Sequence, residues 1–194
     1  MRIISLPGSV HNEEALIKQF LTYPEVIVHI RKPGLEVTEM KRLVDRFTAV
    51  EKNRLVLHSY QDLSHEWGLD RVHYPSSFRE EGLVHGIQNY THVSTSTHSW
   101  AEFNALGVAY QAAFISPVFS SISKAGYQEN AALHHVDKRA NFSTTLIALG
   151  GVSMGNIHSI KSDFDEVALC GSIWLAEDPF AEFETCYSLW YDNQ

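Results

Sequence analysis

The sequence has few of the residues that define several protein classes, and each shortage excludes something. It contains only two cysteines, Cys170 and Cys186, and neither belongs to a CxxC pair. This excludes a disulfide framework and a cysteine-ligated metal centre, and we expect two buried thiols in a reducing compartment. Basic residues are in the minority, with 15 Lys and Arg against 23 Asp and Glu and a net charge of −8. Because nucleic-acid partners require a basic stripe, none is expected.

Long apolar runs are also missing, so we expect no membrane span and no membrane partner. The first residues, MRIISLPGSV, are interrupted by Pro7-Gly8 too early for a signal peptide. With 44% hydrophobic and 20% charged residues, the composition is typical of a globular protein. The 194 residues therefore predict one domain, spanning 1–194, in an acidic cytoplasmic protein. The oligomeric state is left open, a homo-oligomer included.

Eight short apolar or β-branched runs recur along the chain, and turn residues or helical patterns separate them. The runs are residues 2–6, 25–30, 54–57, 70–74, 90–95, 110–115, 144–149 and 165–169. This rhythm predicts parallel strands joined by helices. We interpret it as a compact (β/α)8 TIM barrel with roughly 24 residues per unit, against about 250 residues for a typical barrel. The alternative is an open doubly wound sheet, but no GxGxxG follows the first run.

Several helices are predicted between these runs. Asn12 is expected to cap a helix that ends near residue 22, and Ser99 to cap another. Apolar residues at helical spacing predict one helix over residues 38–50. Residues 179–191 predict a closing amphipathic helix with proline in its first turn. Residues 58–67 predict a short helix or turn, whereas 77–88 and 118–135 are expected to be irregular.

In a barrel, the residues that follow each strand converge on one face. Here those residues are mostly cations, hydroxyls and glycines, which favours a pocket for phosphate. Gly150-Gly151 and Gly171-Ser172 end the last two runs, where exposed backbone N–H groups can bind an anion. His29 and His73 lie inside strands and are interpreted as hydrogen-bonded core histidines, so no histidine metal centre is expected.

Three segments in this order resemble the thiamine-phosphate synthase family and its thiazole tautomerase relatives. They are FISPVFSSISK from Phe114, LIALGGV from Leu146 with Asn156 a few residues on, and VALCGSI from Val167. Upstream, VHIR from Val28, DRVH from Asp70 and VSTSTHS from Val93 also resemble family motifs. The resemblance therefore covers nearly the whole chain, and it implies a (β/α)8 barrel.

The resemblance implies an enzyme of thiamine biosynthesis, a transferase that joins hydroxymethylpyrimidine pyrophosphate to thiazole phosphate and releases pyrophosphate. It also implies small phosphorylated molecules as the ligands. Arg31, Ser96 and Lys124 would be catalytic and hold the pyrophosphate. The remaining residues that we expect to bind substrate are His29, His58, Ser121, Ser123, Gly150, Gly151, Gly171 and Ser172.

The resemblance further implies Mg²⁺, which the synthases bind through aspartates after strands 3 and 4. At those positions this chain has His58-Ser59 and Ser77-Phe78, so the usual ligands of Mg²⁺ are absent. Asp62 or Asp70 is a substitute that the sequence leaves open. Two alternatives to the synthase reaction also stay open. One is a tautomerase that acts on thiazole phosphate, and the other is a non-catalytic paralogue that binds thiazole or thiamine phosphate.

Overall fold

The computed structural model describes residues 1–120 and 128–192 and forms a closed barrel of eight parallel strands. The strands are β1 (Arg2–Ile4), β2 (Ile27–Ile30), β3 (Leu55–Leu57), β4 (Arg71–Tyr74), β5 (His92–Thr97), β6 (Ala112–Ile115), β7 (Thr145–Ala148) and β8 (Glu166–Leu169). Each strand pairs with the next along the chain, and β8 pairs with β1 through Arg2 opposite Ala168. The predicted compact (β/α)8 TIM barrel is therefore confirmed, and the open-sheet alternative is wrong.

Short helices surround this barrel. They are α1 (Glu13–Phe20), α2 (Val37–Val44), α3 (Ala49–Lys52), α4 (Ser76–Glu80), α5 (Trp100–Asn104), α6 (Gly171–Trp174) and α7 (Pro179–Tyr191). Turns of 3₁₀ helix cover Gln61–Leu63, His65–Trp67, Ile87–Asn89, Ala131–His134, Val136–Lys138 and Ile157–Ile160. The bounds of α7 match the prediction, and the Asp178 side chain caps its first turn. Within residues 1–120 and 128–192, none of the helices has both the length and the hydropathy that a membrane span requires.

The single helix predicted over residues 38–50 is wrong, because the chain forms α2 and α3 with a break between them. Thr48 starts the second helix with a capping box, in which its hydroxyl accepts from the N–H of Glu51 and the Glu51 carboxylate accepts from the Thr48 N–H. A capping box provides hydrogen-bond acceptors for two backbone N–H groups at the start of a helix, so it favours a new helix beginning at this point. The apolar period continues across the break, so periodicity alone does not show it.

Two other local predictions have different outcomes. Asn12 precedes α1, but it adopts a left-handed conformation with φ 56° and its side chain makes no capping hydrogen bond, so that prediction is wrong. Ser99 does cap α5, since its hydroxyl accepts from the N–H of Glu102. Strand β5 runs to Thr97, two residues beyond the predicted end, and this places Ser96 within the strand.

Side chains alternate between the barrel interior and the surrounding helices, as the two-residue period of a strand requires. Outward residues such as Val28 and Leu57 belong to the main core between strands and helices. Inward residues form a separate small cluster of Ile4, Ala112, Phe114, Ile147 and Ala168. At the N-terminal end of the barrel, Arg2 donates to both oxygens of Glu166, at 2.7 and 3.0 Å. The interior is therefore packed, and open space lies at the C-terminal end.

Candidate functional site

A cavity of about 270 Å³ opens at the C-terminal ends of the strands. Each of the eight strands contributes to its wall, through residues in the strand or directly after it. The lining residues are Ile4, Arg31, His58, His73, Pro75, Ser76, Ser96, His98, Phe114, Ser116, Leu149, Gly150, Gly151, Val152, Ala168, Cys170, Gly171 and Ser172. This is the face at which (β/α)8 enzymes carry their active sites, so the cavity is the candidate site.

One side of the cavity is built by the residues that follow β7 and β8, and we call Gly150, Gly151, Gly171 and Ser172 the glycine rim. Gly150 and Gly151 have φ values of +99° and +65°, which favour glycine. A Cβ on Gly150 would lie 2.8 Å from Pro117 Cα, and one on Gly151 would lie 2.8 Å from the carbonyl carbon of Phe119. Backbone conformation and close packing therefore both require glycine at these two positions.

The second half of the glycine rim begins where β8 ends. Gly171 is buried and Ser172 is half-buried, and both line the cavity. The Ser172 Oγ is buried, yet no hydrogen-bond partner for it exists within residues 1–120 and 128–192. A buried hydroxyl without a partner costs about 1–3 kcal/mol. A ligand oxygen at this wall would remove that cost.

Arg31 lines the same cavity as the glycine rim and lies immediately after β2. Its backbone is fixed by Ser5, whose Oγ accepts from the Arg31 N–H at 2.8 Å. None of the described residues accepts a hydrogen bond from its guanidinium group, which is therefore available to an anion. The neighbouring Lys32 does not reach the cavity, because its ammonium donates to Glu13 Oε1 at 2.7 Å and to the carbonyls of Leu6 and Gly8.

Below Arg31 lie three imidazoles that the sequence does not place together, and we call His29, His58 and His73 the histidine floor. Taking one ring nitrogen from each histidine, the three nitrogens all lie within 4.8 Å of one another. His29 Nδ1 and His58 Nε2 are 3.0 Å apart, and the rings of His58 and His73 stack at 4.1 Å. His58 and His73 line the cavity, whereas His29 is fully buried beneath them.

Burial keeps all three imidazoles uncharged. Desolvation is the largest cause that lowers the pKa of His73, to about 3, and the positive charge of Arg31 lowers it further. Desolvation also lowers the pKa of His58 well below its usual value, followed by repulsion from His73 and Arg31. For His29 the causes are desolvation and then the neighbouring His58. Near neutral pH the histidine floor is therefore a set of neutral donors and acceptors.

We assign the proton of the neutral His73 ring to Nδ1 from the hydrogen bonds of its neighbours. The Ser94 Oγ donates to the carbonyl of Val72, so it accepts from His73 Nδ1 at 2.9 Å. The Nε2 of His73 is then unprotonated, and it accepts from the Ser96 hydroxyl at 3.0 Å. Ser96 therefore links the wall of the cavity to the histidine floor, and the His73 lone pair faces the cavity side.

The donors around the cavity do not fit Mg²⁺. This ion requires oxygen ligands and is usually bound through carboxylates, but no Asp or Glu from the described parts of the chain lines the cavity. Asp70, one possible substitute, lies before β4 and accepts from the N–H of Thr91, so it is at the opposite end of the barrel. Asp62 is exposed and does not line the cavity.

The structure brings seven of the predicted site residues to one cavity: Arg31, His58, Ser96, Gly150, Gly151, Gly171 and Ser172. His29 was predicted to bind substrate, but it is fully buried below the wall, where it contacts the lining residues His58, His73 and Phe114. Ser121, Ser123 and Lys124 lie outside the described residues. Their roles, like those of the seven, stay predictions.

Several residues of the cavity wall were not among the binding residues expected from the sequence. His73 was interpreted as a core histidine, and it is both buried and part of the wall. Strand position could have indicated that His73 belongs with His29, because His29 is the third residue of β2 and His73 the third of β4. His98 also lines the cavity, with its Nδ1 3.0 Å from the carbonyl of Ser116. Cys170, expected to be buried, is partly exposed there.

Comparisons with known proteins agree on the fold. No family model and no curated protein matches the sequence. Among solved structures, thiamine phosphate pyrophosphorylase from Bacteroides thetaiotaomicron is 21% identical, with a TM-score of 0.73 over 97% of this chain and 96% of that one. The pyrophosphorylase from Pyrococcus furiosus is 14% identical, with a TM-score of 0.68 over 97% and 93%.

A different enzyme is similar to the same degree. The 3-hexulose-6-phosphate synthase from Salmonella typhimurium is 14% identical, with a TM-score of 0.70 over 100% of this chain and 99% of that one. At these identities the similarity shows a barrel of the kind found in thiamine biosynthesis enzymes and in other TIM-barrel enzymes. It does not select one reaction.

Proposed function

We propose that the protein is a thiamine-phosphate-synthase-type transferase that binds phosphorylated precursors in this cavity. The observation that carries the proposal is that the glycine rim and Arg31 line one cavity of about 270 Å³. Such a pairing suits an anionic ligand, because backbone N–H groups and a guanidinium group both bind phosphate oxygens. The lack of carboxylates in the described wall supports the same ligand, since no like charge repels it.

In this proposal thiazole phosphate lies against the glycine rim, with its phosphate near Gly151 and Ser172. Hydroxymethylpyrimidine pyrophosphate lies nearer to Arg31. The thiazole nitrogen forms a C–N bond to the pyrimidine methylene carbon while the bond from that carbon to the pyrophosphate oxygen breaks. Negative charge grows on the departing pyrophosphate, and Arg31 stabilises it there. Catalysis of this kind depends on positioning and electrostatic stabilisation more than on proton transfer.

The histidine floor supports a second candidate, a tautomerase that acts on thiazole phosphate. Neutral imidazoles are suitable proton carriers, and His73 presents an unprotonated Nε2 beside Ser96. The lack of carboxylates in the described part of the cavity wall also favours a tautomerase, because isomerisation of one substrate involves no departing pyrophosphate that Mg²⁺ must neutralise. The same cavity would then hold one phosphorylated ligand and exchange a proton on its ring.

One set of incubations separates these functions. The purified protein is mixed with each precursor alone and with both together, with and without Mg²⁺, and thiamine phosphate is followed. Formation of thiamine phosphate from the two precursors supports the transferase. Deuterium incorporation from D₂O into the thiazole substrate alone supports the tautomerase. A rise in melting temperature with thiazole phosphate and no chemistry would reject both and leave a binding protein.

The anion site can be tested separately with Arg31→Gln. Hydrogen bonds to charged groups contribute about 1.5–3 kcal/mol, so affinity for hydroxymethylpyrimidine pyrophosphate should fall by roughly 10- to 100-fold. Arg42→Gln is the matched control, because Arg42 is an exposed arginine on α2, away from this cavity. Equal affinities of the two variants, measured by calorimetry, would contradict a role for Arg31 in binding.

A further inference from the structure

The ring nitrogens of the histidine floor are not all satisfied by hydrogen bonds to described residues. His29 Nε2 is buried and has no hydrogen-bond partner in the described parts of the chain. His29 Nδ1 and His58 Nε2 share one hydrogen bond at 3.0 Å, and no carboxylate of the described residues hydrogen-bonds to either ring. A core histidine normally satisfies both nitrogens. Three imidazoles in one place, one of them unsatisfied, are an unusual way to fill a barrel.

The neighbours of His73 resemble the support that metal-binding histidines have. Ligand imidazoles usually donate their other N–H to an oxygen, which fixes the tautomer and the orientation of the ring. His73 Nδ1 donates to Ser94 Oγ, and Ser94 in turn donates to the carbonyl of Val72. The lone pair on Nε2 is thereby directed to the side on which Ser96 and the cavity lie.

We propose that His29, His58 and His73 form a binding site for a divalent transition-metal ion, of the Zn²⁺ or Co²⁺ type, at the base of the cavity. Three neutral imidazoles are ligands that these ions prefer, whereas Mg²⁺ prefers oxygen. The proposal does not depend on the reaction proposed above, because metal binding is measured without any substrate.

The spacing of the rings allows such a site after small rotations. Zn–N bonds of about 2.0–2.1 Å in a tetrahedral arrangement place ligand nitrogens roughly 3.4 Å apart. The nitrogens here span 3.0 Å for the His29–His58 pair and up to 4.8 Å for the whole set. The terminal torsion of a histidine side chain is soft, so ring rotation can close the remaining gap. The stacked rings of His58 and His73 would have to separate for this to happen.

A metal at this point would have an open coordination position. The ion would be held by three protein ligands, as in catalytic zinc sites, and His58 and His73 both border the cavity. The fourth position would therefore be within reach of a substrate oxygen. A metal there would polarise that oxygen, and this would supply part of the charge stabilisation that carboxylate-bound Mg²⁺ supplies elsewhere.

The test uses tag-free protein stripped with a chelator and then titrated with Co²⁺. Binding of one Co²⁺ per chain with the intense visible bands of a four-coordinate ion is expected, followed by displacement with Zn²⁺. Elemental analysis after dialysis against Zn²⁺ should give one equivalent. Protein that binds neither ion above the level of a non-specific control overturns the proposal, and the histidine floor is then a hydrogen-bonded core.

Single substitutions identify the ligands. His58→Gln is the main variant, because His58 is partly exposed and its replacement should leave a folded chain. Affinity should fall by more than the roughly 10- to 100-fold that loss of a second-shell partner costs. His98→Gln is the matched control, since His98 lines the same cavity outside the cluster. Circular dichroism confirms that both variants are folded.

A substitution of Cys170 distinguishes histidine ligands from a thiol ligand, because the Cys170 thiol at the cavity is another possible ligand for these ions. The three-histidine site predicts that Cys170→Ser keeps its Co²⁺ affinity and its visible spectrum. Loss of binding in Cys170→Ser with retention in His58→Gln would overturn the assignment.

Discussion

The glycine rim and the histidine floor face the same cavity but offer a ligand different chemistry. At the glycine rim, Gly150 and Gly151 have no side chains, and their half-buried backbone packs closely against Pro117 and Phe119 where it borders the cavity. At the histidine floor, His58 and His73 offer ring nitrogens, and burial keeps those rings neutral. The comparison teaches that the two walls suit two parts of one ligand, an anionic group on one side and a neutral or metal-bound group on the other.

The difference also decides how each wall responds to change. The glycine rim depends on backbone conformation, so any added carbon disturbs it. The histidine floor depends on protonation, so pH disturbs it first. Three experiments test this contrast, beginning with the one for which we expect the largest effect.

Gly151→Ala should have the largest effect, because it combines backbone strain with a steric collision. A Cβ at this position would meet the Ser120 carbonyl oxygen and lie 2.8 Å from Phe119 Cβ. Overpacking typically costs 1–3 kcal/mol and a residue forced to positive φ costs about 1 more, so unfolding free energy should fall by roughly 3 kcal/mol. Denaturant unfolding measures this change.

The matched control is Gly34→Ala. Gly34 has a similar φ of +79°, but a Cβ there would have nothing within 4 Å. Its replacement should therefore cost only the strain, about 1 kcal/mol. Equal losses for the two variants would show that close packing against Ser120 and Phe119 does not matter at the glycine rim.

The histidine floor should make the protein sensitive to mild acid. The pKa of His73 is about 3 in the folded chain against an ordinary value of 6.5, so between these values the unfolded chain binds more protons. The contribution of His73 to the unfolding free energy should therefore be constant above about pH 6.5 and fall below it, by about 1.4 kcal/mol per pH unit. Lowered pKa values of His29 and His58 act in the same direction.

Denaturant unfolding between about pH 7 and about pH 5 measures this slope. This pH range lies above the range in which most carboxylates titrate. His58→Gln should reduce the slope by the share of one histidine. The interpretation fails if the variant and the unchanged protein lose stability equally over this range.

Ser172→Ala should have the smallest effect on stability, and its sign is the informative part. Because the Ser172 Oγ is buried without a partner among the described residues, its removal should stabilise the ligand-free protein by about 1 kcal/mol. The same change should weaken binding of thiazole phosphate. Melting temperature and calorimetry measure the two effects.

Ser64→Ala is the control for this variant. The Ser64 Oγ is also buried without a described partner, but Ser64 does not line the cavity. It should give a similar gain in stability and no change in affinity. A loss of affinity in Ser64→Ala, or none in Ser172→Ala, would contradict a role for the Ser172 hydroxyl in binding.

The sequence by itself determined the barrel and the glycine rim. Buried parallel strands need continuous apolar residues, and Gly150 and Gly151 interrupt such a run where β7 ends, so both are visible as local patterns. The closing helix is similarly local, since proline in its first turn and the apolar residues behind it lie within Pro179–Tyr191.

Only the tertiary structure decided the histidine floor and the break between α2 and α3. His29, His58 and His73 are distant along the chain, and the closed barrel brings them together because inward-facing positions of neighbouring strands converge on its axis. A local pattern cannot report that convergence, because it depends on the pairing register of β2, β3 and β4. For the same reason the sequence does not show that Lys32, which follows β2 beside Arg31, pairs with Glu13.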